Sequence, residues 1–302
     1  MLTRLMQAPD LAPCLARWPL PGVPTKLAQP VLASALAEQR LLGAVILHLA
    51  SGRLMGFGLS GFVRGADVHE QVRAGQSLIA HHLRAESQGE RIYLDSSDRG
   101  RAQRANDLHL VVVTYQQETV DVQDPLASEL AHAGHTAFRL LHEGYALQAV
   151  WQEGWPADAA WMQAGGFLVK HQQAGTPAQP RWLFGALRED VQGHWPSHTL
   201  SFVLRRNARR LGMSPSQCRV AELALWNLDD EAVSRQMGIT PATVRRHWRT
   251  IFERLDASGA LPPDAQAVEC SPAVSQPDRR GPQRRRTVLD YLRSHLQEIR
   301  PA

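Results

Sequence analysis

Along residues 1 to about 200 the apolar positions follow two different periods. Gly43-Ala44-Val45-Ile46-Leu47-His48-Leu49 and Leu54-Met55-Gly56-Phe57-Gly58-Leu59-Ser60-Gly61-Phe62-Val63 are short apolar runs on either side of Ala50-Ser51-Gly52-Arg53. They predict a β-hairpin turned at Ser51-Gly52. The Val-rich run from Leu108 to Tyr115 predicts a third strand. Around Ala66 to Ala85 and from Asp124 to His142 apolar residues return every three or four positions, as amphipathic helices require. Strand and helix periods therefore mix, and no linker divides them. Residues 1–200 are expected to form one mixed α/β, sensor-like or dimerisation domain with an antiparallel-rich sheet.

From residue 211 the pattern is helical. Ser214 with Pro215 reads as an N-cap and first helical position, opening a helix to about Trp226. Asp229 or Asp230 caps a short helix, Glu231 to Met237, which Gly238 ends in the left-handed conformation. Ile239 then plugs the turn, and Thr240-Pro241 starts a third helix. In it Val244, Trp248, Ile251, Phe252 and Leu255 share a face to bury, while Arg245, Arg246 and Arg249 project elsewhere.

Residues 262–286 hold five prolines, Arg279-Arg280, Arg284-Arg285-Arg286 and few apolar groups, which predicts a flexible linker. Thr287 is placed to cap a last helix whose stripe is Val288, Leu289, Leu292, Leu296 and Ile299. That stripe must be covered either by its own chain or by a second subunit. The fold class is thus α+β: the mixed domain over 1–200, an all-α helix-turn-helix domain over 208–261, the basic linker 262–286 and a C-terminal amphipathic helix over 287–302.

Charge adds a direction to this picture. From residue 201 onward there are 17 Arg, no Lys and 11 acidic residues, net +6, against −2 for residues 1–200. A basic end on a near-neutral body suits a nucleic-acid partner. No run approaches the roughly 18 to 20 apolar residues of a membrane span, and the N-terminal stretch lacks a signal-peptide core. A cytoplasmic protein with no membrane partner is expected. Cys14, Cys218 and Cys270 are odd in number and outside any CxxC pattern, so free thiols and no zinc are expected. His132, His135 and His142 recur on one predicted helix, but nothing nearby completes a ligand set, and no metal is expected.

The third helix of the helical block carries the function. A helix about 10 to 12 Å across fits the major groove, where Arg pairs with guanine or holds phosphate. The segment Gly238 to Leu255 resembles the recognition segment of LuxR-type regulators, roughly G-[IV]-[ST]-x-x-T-V-[KR]-x-H-x-x-x-[IL]-[FY]-x-[KR]-L. With Ser214-Pro215 and Leu228 to Met237 the resemblance covers about 45 of 302 residues. It departs at Gln217, Arg219 and Ala232, where the family carries other residues. The resemblance implies Thr240, Thr243, Val244, Arg245, Arg246 and Arg249 as DNA-contacting residues: the arginines at bases or phosphates, Thr243 on the backbone, and Val244 in the core or at a thymine methyl. His247 is implied to be structural.

The signal read by residues 1–200 is open. The acidic arrangement of a phosphoacceptor receiver domain is absent, and Asp124-Pro125 after Tyr115 only faintly echoes an acyl-homoserine lactone domain. The hairpin, the strand to Tyr115 and Ala164-Gly165-Gly166-Phe167 are similar to GNAT-type N-acetyltransferases, although Gln116-Gln117-Glu118-Thr119-Val120-Asp121 has no glycine and two carboxylates where that family cradles a pyrophosphate. A PAS-like sensor is an equal alternative. Trp151, Trp155, Trp161 and Trp182 are candidates to line a pocket. The expected protein is a transcriptional regulator and not an enzyme: a homodimer on double-stranded DNA, responding to a small-molecule effector or partner, with no catalytic residue and no cofactor. The alternative is a GNAT-like acyltransferase with an accessory DNA-binding module.

Overall fold

The computed structural model describes residues 1–74, 77–121, 123–173, 181–191, 199–260 and 280–301. Its contacts divide the chain into two units, Met1–Arg206 and Asn207–Pro301. The first unit runs β1 (Leu2–Leu5), α1 (Ala8–Arg17), α2 (Thr25–Ala37), β2 (Leu41–Leu47), β3 (Leu54–Arg64), α3 (Gly65–Ala74), α4 (Leu78–Ser87), α5 (Ser96–Arg104), β4 (Leu108–Gln117), α6 (Pro125–His142), β5 (Ala149–Gly154), α7 (Ala159–Ala164), β6 (Leu168–Gln173), β7 (Arg181–Leu187), α8 (Arg188–Val191) and α9 (Thr199–Leu204). The seven strands form one sheet in the order β1-β2-β3-β4-β5-β7-β6.

The β2–β3 hairpin forms around Gly52, whose φ of +65° only glycine adopts without cost. β4 is apolar at consecutive positions because both of its faces are covered. Val111 and Val113 join Phe57, Val63 and Leu83 in one core, while Leu108, Leu110 and Val112 join Phe62, Leu147 and Leu200 in another. Helices α1, α2 and α4 belong to the first layer, α6 and α9 to the second. All neighbouring strands are antiparallel except β4 and β5. That parallel pair ends at Val112 and Gln152, yet β4 continues to Gln117 beside β3, and β5 to Gly154 beside β7. The two halves of the sheet therefore part at this point. A register shift opposite Leu59 and Ser60 adds a bulge, leaving Val113 unopposed on β4. The helical stretch expected over Ala66 to Ala85 is two helices, because the Ser77 hydroxyl accepts from the Ala80 amide and starts α4 anew.

The second unit holds α10 (Pro215–Leu225), α11 (Asp230–Met237), α12 (Pro241–Ala257), α13 (Arg280–Ser294) and a 3-10 turn over Leu296–Ile299. Each of the first three helices is capped by the residue expected. Ser214 and Gln217 exchange side-chain and backbone bonds at 3.3 and 2.9 Å, so the glutamine keeps a capping box intact. Asp229 accepts from the Ala232 amide at 2.7 Å, Gly238 sits at φ +64°, and Thr240 accepts from the Thr243 amide at 3.2 Å.

At the C-terminal end one expectation changes and one open alternative is decided. The last helix begins at Arg280, not at Thr287, so 280–286 belongs to it and not to a linker; residues 262–279 of that stretch lie outside the described residues. Pro282 falls in its first turn, where a missing amide costs nothing. The Arg284 and Arg285 guanidiniums lie over the Phe252 and Trp248 rings at 5.1 and 4.7 Å, and pair with Asp256 and Asp230. Secondly, the terminal stripe is covered by its own unit: Val288, Leu292, Leu296 and Ile299 are buried, with α10 as their neighbour. The buried Glu298 carboxylate then accepts from the Arg210 and Leu211 amides at 2.8 to 3.0 Å.

Candidate functional site

Where β4 and β5 part, a cavity of about 450 Å³ opens between the sheet, α6 and α7. Its walls are largely apolar, among them Ile46, Leu59, Val112, Phe138, Leu141 and Met162, with polar side chains such as Thr114, Ser128 and Gln152 between them. Among the described residues that line it there is no Lys, Arg, Asp or Glu. The β4 bulge brings Tyr115 against α6. A Cβ on Gly134 would lie 2.4 Å from the Tyr115 hydroxyl, so glycine is what lets the ring seat there. Trp161 of α7, half exposed, stacks on that ring at 6.1 Å between centroids and 9° between planes.

One polar feature of the cavity wall is a buried pair. Ser60 Oγ and His142 Nε2 are 2.7 Å apart, and His142 Nδ1 is 2.8 Å from the Phe138 carbonyl oxygen. A carbonyl only accepts, so in the neutral ring Nδ1 carries the hydrogen and Nε2 takes one from the serine hydroxyl. The imidazole is thereby fixed as an acceptor facing the cavity wall. His135, also lining it, is held below the usual histidine range by burial, then by Arg139 and His132. His132 is exposed. Among the described residues no three His, Cys, Asp or Glu side chains come together as a metal would need.

Of the four tryptophans expected to line a pocket, Trp161 alone is among the described lining residues. Trp151 is in the opposite core, where its indole donates to His109 Nδ1 at 3.1 Å. Ser60 was invisible in the sequence as a partner of His142, since 82 residues separate them.

The loop after β4 does not fit the pyrophosphate of acetyl-CoA. Glu118 pairs with Arg17 and, at 3.5 Å, with Arg53, so one of those two cations is offset by its carboxylate. Asp121 accepts from the Gln123 amide, and Asp124 accepts from the Leu126 amide at 3.0 Å. The N-terminus of α6 is thus occupied by the chain's own carboxylate, with Pro125 contributing no N–H. An added phosphate at the start of α6 would meet the carboxylates of Asp121 and Asp124.

In the second unit, Arg245, Arg246 and Arg249 are exposed on α12, while Val244, Trp248, Ile251 and Leu255 are buried on its other side. Thr240 is exposed, and its hydroxyl is 2.9 Å from that of Thr243. Val244 has no exposed surface, which corrects its place among the DNA-contacting residues: its side chain holds α12 in the core. His247 is half-buried. Among the described residues no helix is long and apolar enough to cross a membrane.

No family model matches the chain, and no curated protein matches it. Solved structures are similar to it. One is a mosquito arylalkylamine N-acetyltransferase-like protein, at 11% identity and TM-score 0.39, with 62% of this chain and 99% of that chain covered. A second is a Drosophila melanogaster polyamine N-acetyltransferase, at 15% and 0.35, with 62% and 99% covered. A third is an aminoglycoside acetyltransferase solved with coenzyme A and kanamycin, at 14% and 0.31, with 63% and 96% covered. Each is named an acetyltransferase or acetyltransferase-like protein, and against these neighbours the expectation that this chain is not an enzyme is withdrawn.

Proposed function

We propose that the chain is a GNAT-like acyltransferase with an accessory DNA-binding module. The observation that carries the first part is the cavity at the parting of β4 and β5 with Ser60 and His142 in its wall. An acyl acceptor whose hydroxyl or amine rests on Ser60 Oγ would pass a proton to that oxygen as it attacks the acyl carbonyl, and Ser60 would pass its own to His142 Nε2; as the tetrahedral adduct collapses, the donor's acyl–oxygen bond breaks and the departing alkoxide takes the proton back from His142 by way of Ser60. Proton removal at the moment of attack is general-base catalysis, and Phe138 keeps the ring oriented for it. The acidic loop before α6 points to an acyl donor that carries no pyrophosphate.

The second part is supported by α12, whose buried face anchors it and whose exposed face carries three arginines. Docked in a major groove, these would hold phosphates or guanine edges, and two copies on two half-sites would give the usual specificity. Binding to random and genomic DNA fragments at two salt concentrations tests this. The Arg245→Ala/Arg249→Ala variant is expected to lose sequence-selective binding, at roughly 1 to 3 kcal/mol per base-reading arginine. Unchanged binding by the variant would reject α12 as the reader. For the first part, turnover of neutral acyl esters that falls at least about a hundredfold in His142→Ala is expected; equal turnover by the variant would reject it.

A further inference from the structure

The chemistry of the cavity wall specifies its occupant more narrowly than transfer of an acyl group does. With His142 Nδ1 committed to the Phe138 carbonyl, the Ser60 hydroxyl has two acceptors in reach, His142 Nε2 at 2.7 Å and the Leu42 carbonyl at 3.3 Å. Its lone pairs receive no donor among the described residues. A buried oxygen in that position is satisfied by a donor brought in from outside. Around it the wall is largely hydrocarbon and aromatic, with the polar side chains of Thr114, His135 and Gln152 among its lining; as no Lys, Arg, Asp or Glu is among the described lining residues, a charged group would lose hydration without a carboxylate, ammonium or guanidinium to pair with.

We infer that the cavity takes an uncharged, largely apolar small molecule bearing one hydrogen-bond donor, a hydroxyl or an N–H, at the end seated on Ser60. A volume of about 450 Å³ is within the range of sites for molecules of drug size. This rests on reading the first unit as a small-molecule site; it adds the ligand's charge, its polarity and the atom on which it is anchored.

Three fluorescent probes with one ring skeleton separate these properties. Phenylnaphthylamine is neutral and has one N–H; its N-methylated analogue has none; anilinonaphthalene sulfonate keeps the N–H and adds a negative charge. Titrated into the full chain, the first is expected to bind, the second about tenfold more weakly, and the third more weakly still. Ser60→Ala should bring the first two within about twofold of each other, and Ala131→Trp, which fills the cavity from α6, should abolish binding while far-ultraviolet dichroism is unchanged. No binding of the neutral probe, equal binding of the sulfonate, or parent and methylated probes that bind alike to wild type would each overturn the inference. So would displacement of the probe by acetyl-CoA. Ester turnover and DNA binding, measured on the same preparation, report separately on the proposed function. Probe binding with the expected ranking but without turnover would reject the transferase reading and keep the ligand class.

Discussion

Gly134 shows how a single missing methyl shapes the molecule. Tyr115 lies against it, stacked by Trp161, and its hydroxyl donates to the Gln117 side chain at 2.5 Å. A methyl there would have to displace a ring held on two sides. Gly134→Ala is expected to lower stability by roughly 1 to 3 kcal/mol, read by urea denaturation, and Tyr115→Ala in the same chain should recover most of that loss. If Gly134→Ala is neutral, the ring is not seated as described. Gly134 could not be singled out from the sequence, because its partner lies on a strand and the pair meets only after the β4 bulge. Thr240, Asp229 and Ser214 are the opposite case, since a cap acts within three residues and is legible from spacing.

Helix α13 marks the boundary between local and tertiary information. Read locally, Arg284-Arg285-Arg286 beside a proline belongs to a solvated linker. The helix extends back to Arg280 because those arginines find partners far along the chain: Arg285 reaches Asp230 at 2.6 Å and covers the Trp248 ring. Arg285→Ala removes a partly exposed ion pair and a cation–π contact, at about 1 to 2 kcal/mol together. Urea denaturation followed by the fluorescence of Trp226 and Trp248 checks it. Arg285→Lys should recover less than half, because the planar group that stacks is gone; full recovery would mean that charge alone matters. Strand β5 was illegible for a related reason. Its parallel partner in β4 is about forty residues away, joined through α6, and only four of its residues pair with it.

At the scale of the whole molecule, acid sensitivity follows from two histidines in the first unit. Burial pushes His82 down to about 3, and burial with the nearby His69 pushes His109 down to about 4. In the unfolded chain both take up a proton near pH 6.5. Between those values the unfolded state binds more protons than the folded one, so stability rises with pH and is lost on acidification. Each group costs about 1.4 kcal/mol per pH unit in its window, from about 6.5 down to its folded value. Thermal melts of the full chain at pH 7, 6 and 5 should show a falling midpoint, and His109→Asn, which retains an acceptor for the Trp151 indole, should flatten the slope. A midpoint independent of pH would contradict the burial of these rings. The mixed sheet and the helical end were legible because periods of two and 3.6 residues differ sharply. The site was not, because it is assembled from β3, β4, α6 and α7.

The bulge at Val113 has a consequence for how this sheet tolerates change. Directly opposed residues of an antiparallel pair share a face, so the surplus residue is absorbed within β4 and the residues on either side of it keep the faces of their partners. Deleting Val113 would leave Thr114 opposite Leu59 and Tyr115 opposite Gly58. The ladder and the seat of Tyr115 against α6 would survive, and the loss would fall on the opposite core, which Val113 joins. In this sheet, then, a change of length at the bulge is tolerated by the cavity wall and felt by the layer behind it.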